Sequence, residues 1–305
     1  MPDLDRISIV IPSLHSPVID QVLDALRHQS LKPAAIEILV VGLDKYNLVR
    51  EDQTVHLLST EGPVSPARAR NIGWKAAQHD EVLFLDADCV PLNNWLLEMV
   101  TFAREHGDAG AVLGGMDFDS RAFWTVCDQV AGFHEHFSSN PSGRRLTLPS
   151  YALYVPRPIL QLVGGFDESF PLPSAEDLDM SIRIRQLGYG LYFNNRAVVI
   201  HRPRRNTFRD LWRHAYWSGH ESIKVRLRYG DAYRMPPWSR SALAWRLLSP
   251  GIAVLRTMQI YARTPSVRSY WLAVPWVILS KLAWCWGAAS GLASLSGRAN
   301  SEKSA

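Results

Sequence analysis

Four short apolar runs within the first 85 residues constrain the fold of this chain more than any other feature. Ile7–Ile11, Glu37–Val41, His56–Ser59 and Glu81–Leu85 have strand length and are separated by segments of helical period. Val18, Val22 and Leu26 share one face of a helix predicted over Val18–Gln29. Pro66 opens another, running to about Gln78, because proline suits a first turn. Strands alternating with helices build an α/β fold with a mixed, mostly parallel sheet and helices on both faces. Ligands of such sheets lie beyond the carboxyl ends of the strands, and Asp86 and Asp88 directly follow the fourth run. Pro12 reads as the stop of the first strand.

Further along, the pattern predicts a helix over Asn94–His106, strands at Ala109–Gly115, Tyr151–Val155 and Ala197–Ile200, and a helix over Glu176–Leu187 closed by Gly188. Trp124–Pro149 reads as a polar, aromatic loop segment. Charge then changes sign: residues 1–201 carry a balance of −9 and residues 202–268 a balance of +11. Such asymmetry points to an anionic partner. From Ser269 to Gly297 only Lys281 is charged, long enough to cross a bilayer. Pro275, Lys281 and a set of tryptophans favour helices lying in an anionic membrane surface, with a packed helical cap as the alternative. The expected organisation is a catalytic domain over 1–210, with a nucleotide half to about 115, and a helical region over 211–305. Three dispersed cysteines suit a reducing compartment, and a charged N-terminus leading into a strand suits the cytoplasm. The expected location is the inner face of the cell membrane.

The carboxylates of Phe84-Leu85-Asp86-Ala87-Asp88 supply hard oxygen ligands for a divalent cation, although aspartates after a strand also cap helices. Glu176-Asp177 by itself reads as an acidic first turn favoured by the helix dipole. His201 by itself reads as a structural strand end, and Arg70 as a phosphate ligand or an ion-pair partner. Arg202, Arg204 and Arg205 form a basic cluster for a diphosphate, or a solvated loop.

Four of these segments occur in a telling order. Ile7–Pro12 is followed by Ala69-Arg70-Asn71-Ile72-Gly73, by Val82–Asp88, and by Gly164-Gly165-Phe166-Asp167-Glu168 with Glu176-Asp177-Leu178-Asp179 and Arg183. Over about residues 6–201 the chain resembles the inverting glycosyltransferases of family 2, which have a GT-A fold. The resemblance implies a nucleotide-sugar donor, with UDP first among the nucleotides, and a glycan or lipid-linked acceptor. It implies Asp177 as general base with Glu176 shaping the acceptor side. Asp88, Asp86 and His201 would hold Mn²⁺ or Mg²⁺, and Pro12, Asp44, Arg70, Asn71 and Asp86 would bind the nucleotide sugar.

Two departures stand out. The family's paired acids after the second strand are replaced by Val41-Gly42-Leu43-Asp44, leaving Asp44 slightly displaced. Cys89 stands where another aspartate is frequent, softening the metal preference or filling space. Asp86-Ala-Asp88-Cys-Val90 also fits an aspartate-nucleophile phosphatase, though that motif belongs on a first strand. A basic, Trp-rich region binding membrane or nucleic acid is the non-enzymatic alternative.

Overall fold

The computed structural model describes residues 6–33, 35–118, 121–172 and 174–302, the last seven by backbone alone. In chain order β1 (Arg6–Leu14), α1 (Ile19–Arg27), β2 (Ala35–Leu43) and β3 (Val55–Ser59) precede α2 (Pro66–Ala76), β4 (Glu81–Leu85) and β5 (Cys89–Pro91). Then come α3 (Trp95–Glu105), β6 (Ala109–Phe118), α4 (Phe123–Gly132), β7 (Gly143–Arg144), β8 (Ala152–Pro156) and α5 (Arg157–Val163). The chain continues through α6 (Glu176–Gln186), β9 (Gly190–His201), α7 (Phe208–Arg228), α8 (Gly230–Tyr233), α9 (Ala242–Arg263) and α10 (Val274–Glu302). It divides into two compact units, one of residues 1–117 and 136–202, the other of 118–135 and 203–305.

The first unit is built on one mixed sheet of order β3-β2-β1-β4-β8-β6-β9-β5, with β7 paired to β9. Its parallel part is β3-β2-β1-β4. Beyond β4 the sheet turns antiparallel, in the pairs β4–β8, β6–β8, β5–β9 and β7–β9. Strands covered on both faces read as continuous apolar runs, and Ile7, Ile9, Val10 and Ile11 in β1 and Val82–Leu85 in β4 are fully buried. The sheet brings the carboxyl ends of β1 and β4 side by side.

Three expectations need correction. Pro12 does not stop β1, which runs on to Leu14 with Pro12 opposite Val41. Pairing of β1 with β4 ends at Val10, so the missing N–H falls where the strand is bonded only to β2. β9 has 12 residues, starting at Gly190, because its buried Leu191, Tyr192 and Phe193 extend the apolar run that Asn194–Arg196 masks. The segment read as a loop from Trp124 contains α4, whose Val126, Cys127, Val130 and Ala131 are buried at helical spacing.

The second unit is helical. α10 packs on α7 and α9, and Ile223, Trp245, Cys285, Ala288, Ala289 and Leu292 form its apolar centre. Two glycines set the closest approach. A Cβ on Gly219 would overlap the Trp284 carbonyl, and one on Gly287 the Tyr216 carbonyl, so α7 and α10 meet backbone to backbone. Residues 265–295 are apolar and long enough to cross a membrane by length and composition. In this unit Ala283, Ala288 and Ala289 of that stretch are fully buried. Lys281 is buried too and donates to the Ala131 carbonyl at 2.5 Å. Burial pushes its ammonium down to about 8, partly offset by the charge of Glu135.

Gly287→Val is expected to cost more than about 3 kcal/mol of stability, because neither backbone can retreat without undoing the helix pair. Gly251→Ala in α9 meets nothing within 4 Å and is expected to be neutral or slightly stabilising. Urea unfolding of both variants checks the contrast.

Candidate active site

The carboxyl end of β4 turns sharply at Asp86. The Asp86 N–H donates to the Tyr151 carbonyl at 2.8 Å, the Cys89 N–H donates back to the Asp86 carbonyl at 2.9 Å, and the Ser16 hydroxyl holds the Ala87 carbonyl at 2.7 Å. With the turn pinned on three sides, the carboxylates of Asp86 and Asp88 leave it separately. Each is about one third exposed.

Asp86 meets Arg70. The Arg70 guanidinium donates through Nη2 to Asp86 Oδ1 at 2.7 Å and through Nη1 to Glu176 Oε1 at 2.9 Å. Arg70 and Glu176 are 4% and 2% exposed, so this is a buried charge shared between two distant carboxylates. The guanidinium also lies over the Phe166 ring, 5.5 Å from its centroid, and Phe166 packs edge-on against Phe84 of β4. Burial alone would lower the Arg70 pKa, but Asp86 and Glu176 outweigh it and the group is held more firmly protonated. Burial raises the Glu176 pKa, helped by the charge of Asp177 and opposed by Arg70. Burial likewise raises that of half-buried Asp177, again opposed by Arg70.

Asn71 ties the same helix to the glycine-rich segment. Its amide nitrogen donates to the Phe166 carbonyl and to Glu168 Oε1, both at 2.8 Å. Its oxygen accepts from the Phe166 N–H and from Trp74 Nε1, both at 2.9 Å. All four polar valences of the side chain are thus engaged. Gly165 has φ +73°, and a Cβ there would sit 2.5 Å from Asn71 Oδ1 and 2.6 Å from Trp74 Nε1. Ala175, at φ +78°, precedes Glu176 in a left-handed conformation that costs a non-glycine residue about 1–2 kcal/mol. This kink starts α6 so that Glu176 reaches Arg70. Asp179 and Arg183 pair at 2.7 Å within α6, and Arg183 reaches the Val163 carbonyl at the end of α5.

A second cluster lies beside the first. β5 pairs with β9 so that Cys89 stands opposite His201, and the Arg202 N–H donates to the Asp88 carbonyl at 2.8 Å. His201 Nε2 is 3.6 Å from Asp88 Oδ2, and one donor atom each from Asp88, Cys89 and His201 lie within 4.8 Å of one another. A carboxylate, an imidazole and a thiol so placed form a donor set fit for a divalent transition metal.

The sequence-predicted residues therefore fall into groups. Arg70, Asp86 and Glu176 are bonded together, with Asp177 next to them; Asp88 and His201 form the second cluster. Asp86, expected also among the metal ligands, is outside that cluster and turned to Arg70, because the buried guanidinium needs its charge. Asp44 accepts from Val49 N–H at 2.7 Å and Tyr46 N–H at 3.3 Å, which closes its own loop. Pro12 lies in β1, and the next residue, Ser13, has a buried hydroxyl with no hydrogen-bond partner among the described residues. Cys89, which the sequence left open between softening the metal preference and filling space, lies in this cluster. Its signal was adjacency to Asp88, but only the β5–β9 register shows that it faces His201.

Residues 8–126 match the family model described as Glycosyl transferase family 2. Among characterised proteins, the chain is similar to a Pre-mycofactocin glycosyltransferase of Mycobacterium tuberculosis, with 29% identity over 209 residues, 63% of this chain and 41% of that one. It thus spans about two fifths of that relative's length. It is also similar to Glycosyltransferase AglE of Haloferax volcanii, with 25% identity over 232 residues, 73% of this chain and 74% of that one. Among solved structures it shares its fold with the mannosyltransferase PcManGT of Pyrobaculum calidifontis in complex with GDP-Man and Mn²⁺. That match has a TM-score of 0.61 and 18% identity, covering 94% of this chain and 89% of that one. The family match spans Asp86 and Asp88.

Gly165→Ala is expected to destabilise by roughly 2–4 kcal/mol, combining the strained φ with a methyl forced onto Asn71 and Trp74. Gly164→Ala, at φ +77° but with open space around its Cβ, is expected to cost only about 1–2 kcal/mol. The difference in denaturation midpoints isolates the steric part.

Proposed function

We propose that this chain, whose residues 8–126 match the family 2 glycosyltransferase model and whose fold is shared with a GT-A mannosyltransferase, transfers a sugar from a nucleotide-diphosphate sugar to a hydroxyl of a glycan or lipid-linked acceptor, inverting the anomeric centre. The observation that carries this reading is the Arg70 bridge, which joins Asp86 at the end of β4 to Glu176 at the start of α6, next to Asp177. An inverting transfer needs a leaving diphosphate on one face of the sugar and a base on the other. Asp86 and the cluster of Asp88, Cys89 and His201 serve the donor side, and Glu176 and Asp177 serve the acceptor side.

Asp177 takes the proton of the acceptor hydroxyl as its oxygen bonds to the anomeric carbon and the bond to the diphosphate oxygen breaks. Burial supports this role by raising its affinity for a proton towards working pH. Glu176 turns Oε1 to Arg70, while Oε2 is buried without a partner among the described residues and can receive an acceptor hydroxyl. Asp88, His201 and Cys89 would hold a divalent cation, whose chemistry is to neutralise the departing diphosphate. With an imidazole and a thiol beside one carboxylate, Mn²⁺ suits this set better than Mg²⁺, which favours oxygen alone. The neighbouring mannosyltransferase fold was solved with Mn²⁺, in keeping with that choice. UDP is the first nucleotide to test.

Thermal shift against UDP, GDP, dTDP and CDP, with and without Mn²⁺, tests the donor site. One nucleotide at a hundred times its Kd should add about 2.7 kcal/mol, in a manner that needs both the metal and Asp88. A folded sample that responds to no nucleotide, or an Asp88→Ala variant that responds like the wild type, would overturn the reading. Asp177→Asn should lower kcat by about 10²–10⁴-fold and leave the nucleotide-induced shift intact.

The rate should fall on the acid side at a pH above the usual carboxylate range, because the base must be deprotonated and burial raises its pKa. Arg70 opposes that rise, so Arg70→Met should move the acid limb higher still. A pH–rate profile of kcat for the two proteins checks the sign.

A further inference from the structure

The sequence draws attention to the apolar stretch from Ser269 to Gly297, yet in the second unit it is the preceding helix that is inside out. The buried stripe of α9 is Trp245, Ser249, Ala253, Thr257 and Ile260, largely small or hydroxylated residues at four-residue spacing. Its opposite face carries Leu243, Leu247, Val254 and Met258, which share one side at helical spacing, with Leu248 and Leu255 on its flank. Leu243, Leu247 and Met258 are 64%, 70% and 65% exposed. Just beyond the helix, Trp271 and Leu272 are 67% and 61% exposed. A water-facing helix places its large aliphatic residues inward; this one places them outward, and an exposed contiguous patch of that kind marks an interaction surface.

Charge identifies the partner. Between Asp231 and Glu302 the chain contains no acidic residue and eight lysines or arginines. Arg246, Arg256 and Arg263 are exposed on α9 itself, and Arg240 and Arg268 are exposed just before and after it. Arg268 is fixed by hydrogen bonds to the Tyr261 and Ala262 carbonyls at 3.0 and 2.9 Å. A row of leucines and a methionine whose charged neighbours along the sequence are all cations, with a tryptophan at one end, has the composition of a helix lying in the plane of an anionic interface. We propose that the outward face of α9, with Trp271 and Leu272, is the surface by which this protein lies on an anionic lipid bilayer, while α10 serves as the packing core beneath it. The aliphatic side chains enter the boundary between headgroups and acyl chains, and the arginines bind lipid phosphates. The inference stands apart from the transferase reading, since binding to vesicles requires no donor, acceptor or metal.

The test is flotation of the full chain with vesicles of phosphatidylcholine alone and with about one third phosphatidylglycerol. Wild type should float with the anionic vesicles only, and less as salt rises. The double variant Leu247→Glu with Met258→Glu should bind at least tenfold more weakly with its melting temperature unchanged, because both side chains are exposed. Leu187→Glu, an exposed leucine of the first unit, should float like the wild type. Wild-type protein that stays at the bottom of the gradient, a double variant that floats as well as the parent, or equal binding to both vesicle types would each overturn the proposal. A wild-type dimer that fails to float, and that the double variant converts to monomer in sedimentation, would assign this face to a second copy instead.

Discussion

The site depends on one buried cation. The Arg70 guanidinium holds Asp86, 16 residues away, with one nitrogen and Glu176, 106 residues away, with another. Carboxylates gathered this closely in a water-poor pocket repel one another, and without a cation among them most would take up protons. Burial draws Glu176 and Asp177 towards neutrality, and the charge of Arg70 opposes that for both. Removing one member of such a buried pair strands the others, at a cost of about 3–5 kcal/mol. The remainder of the local architecture keeps Arg70 in place: Phe166 under its plane, Asn71 clamping Phe166 at both backbone atoms, and Gly165 leaving room for that clamp.

This arrangement gives the glycine-rich signature a physical meaning. Gly165 is required by a positive φ and by the closeness of Asn71 and Trp74, and Phe166 supplies an aromatic face for the guanidinium. Asp179 and Arg183 fasten α6 to the end of α5. Of the acids in Glu176-Asp177-Leu178-Asp179, one therefore anchors Arg70, one faces the same charge from a half-exposed position, and one is structural. Ala175 accepts backbone strain so that the first two are presented together.

Much of the fold was legible because its parallel half announces itself. The runs of β1, β2 and β4 are buried on both sides, and the edge strand β3 is apolar and short, so their existence followed from hydrophobicity alone. The antiparallel half was harder. Asn194-Asn195-Arg196 interrupts β9 with polar residues whose backbone still pairs, and α4 hides its apolar face among Thr125, Asp128 and Gln129. The candidate site was readable in its motifs, since Asp86, Asp88, Glu176 and Asp177 lie at element ends. What one dimension does not show is register. That Cys89 lies opposite His201 is a property of the β5–β9 pairing, and that Arg70 serves two motifs at once is a property of the packing of α2.

The same distinction governs the C-terminal region. Counting apolar residues favours α10 as the membrane-seeking element, since it is the longer and less charged helix. Packing reverses that ranking. Small side chains at Gly287, Ala288, Ala289 and Gly291 allow α10 to approach α7 closely, and an interface so tight leaves little of that side for lipid. α9 spends serine, alanine and threonine on its inner contacts and keeps its leucines outside. Hydrophobicity sums miss this difference, because they register how many apolar residues a helix has and not which way they point. The free energy available for binding a surface comes only from the apolar area still exposed after folding. On that measure α9, with its cationic flanks, is the element of this unit with most to gain from an anionic bilayer.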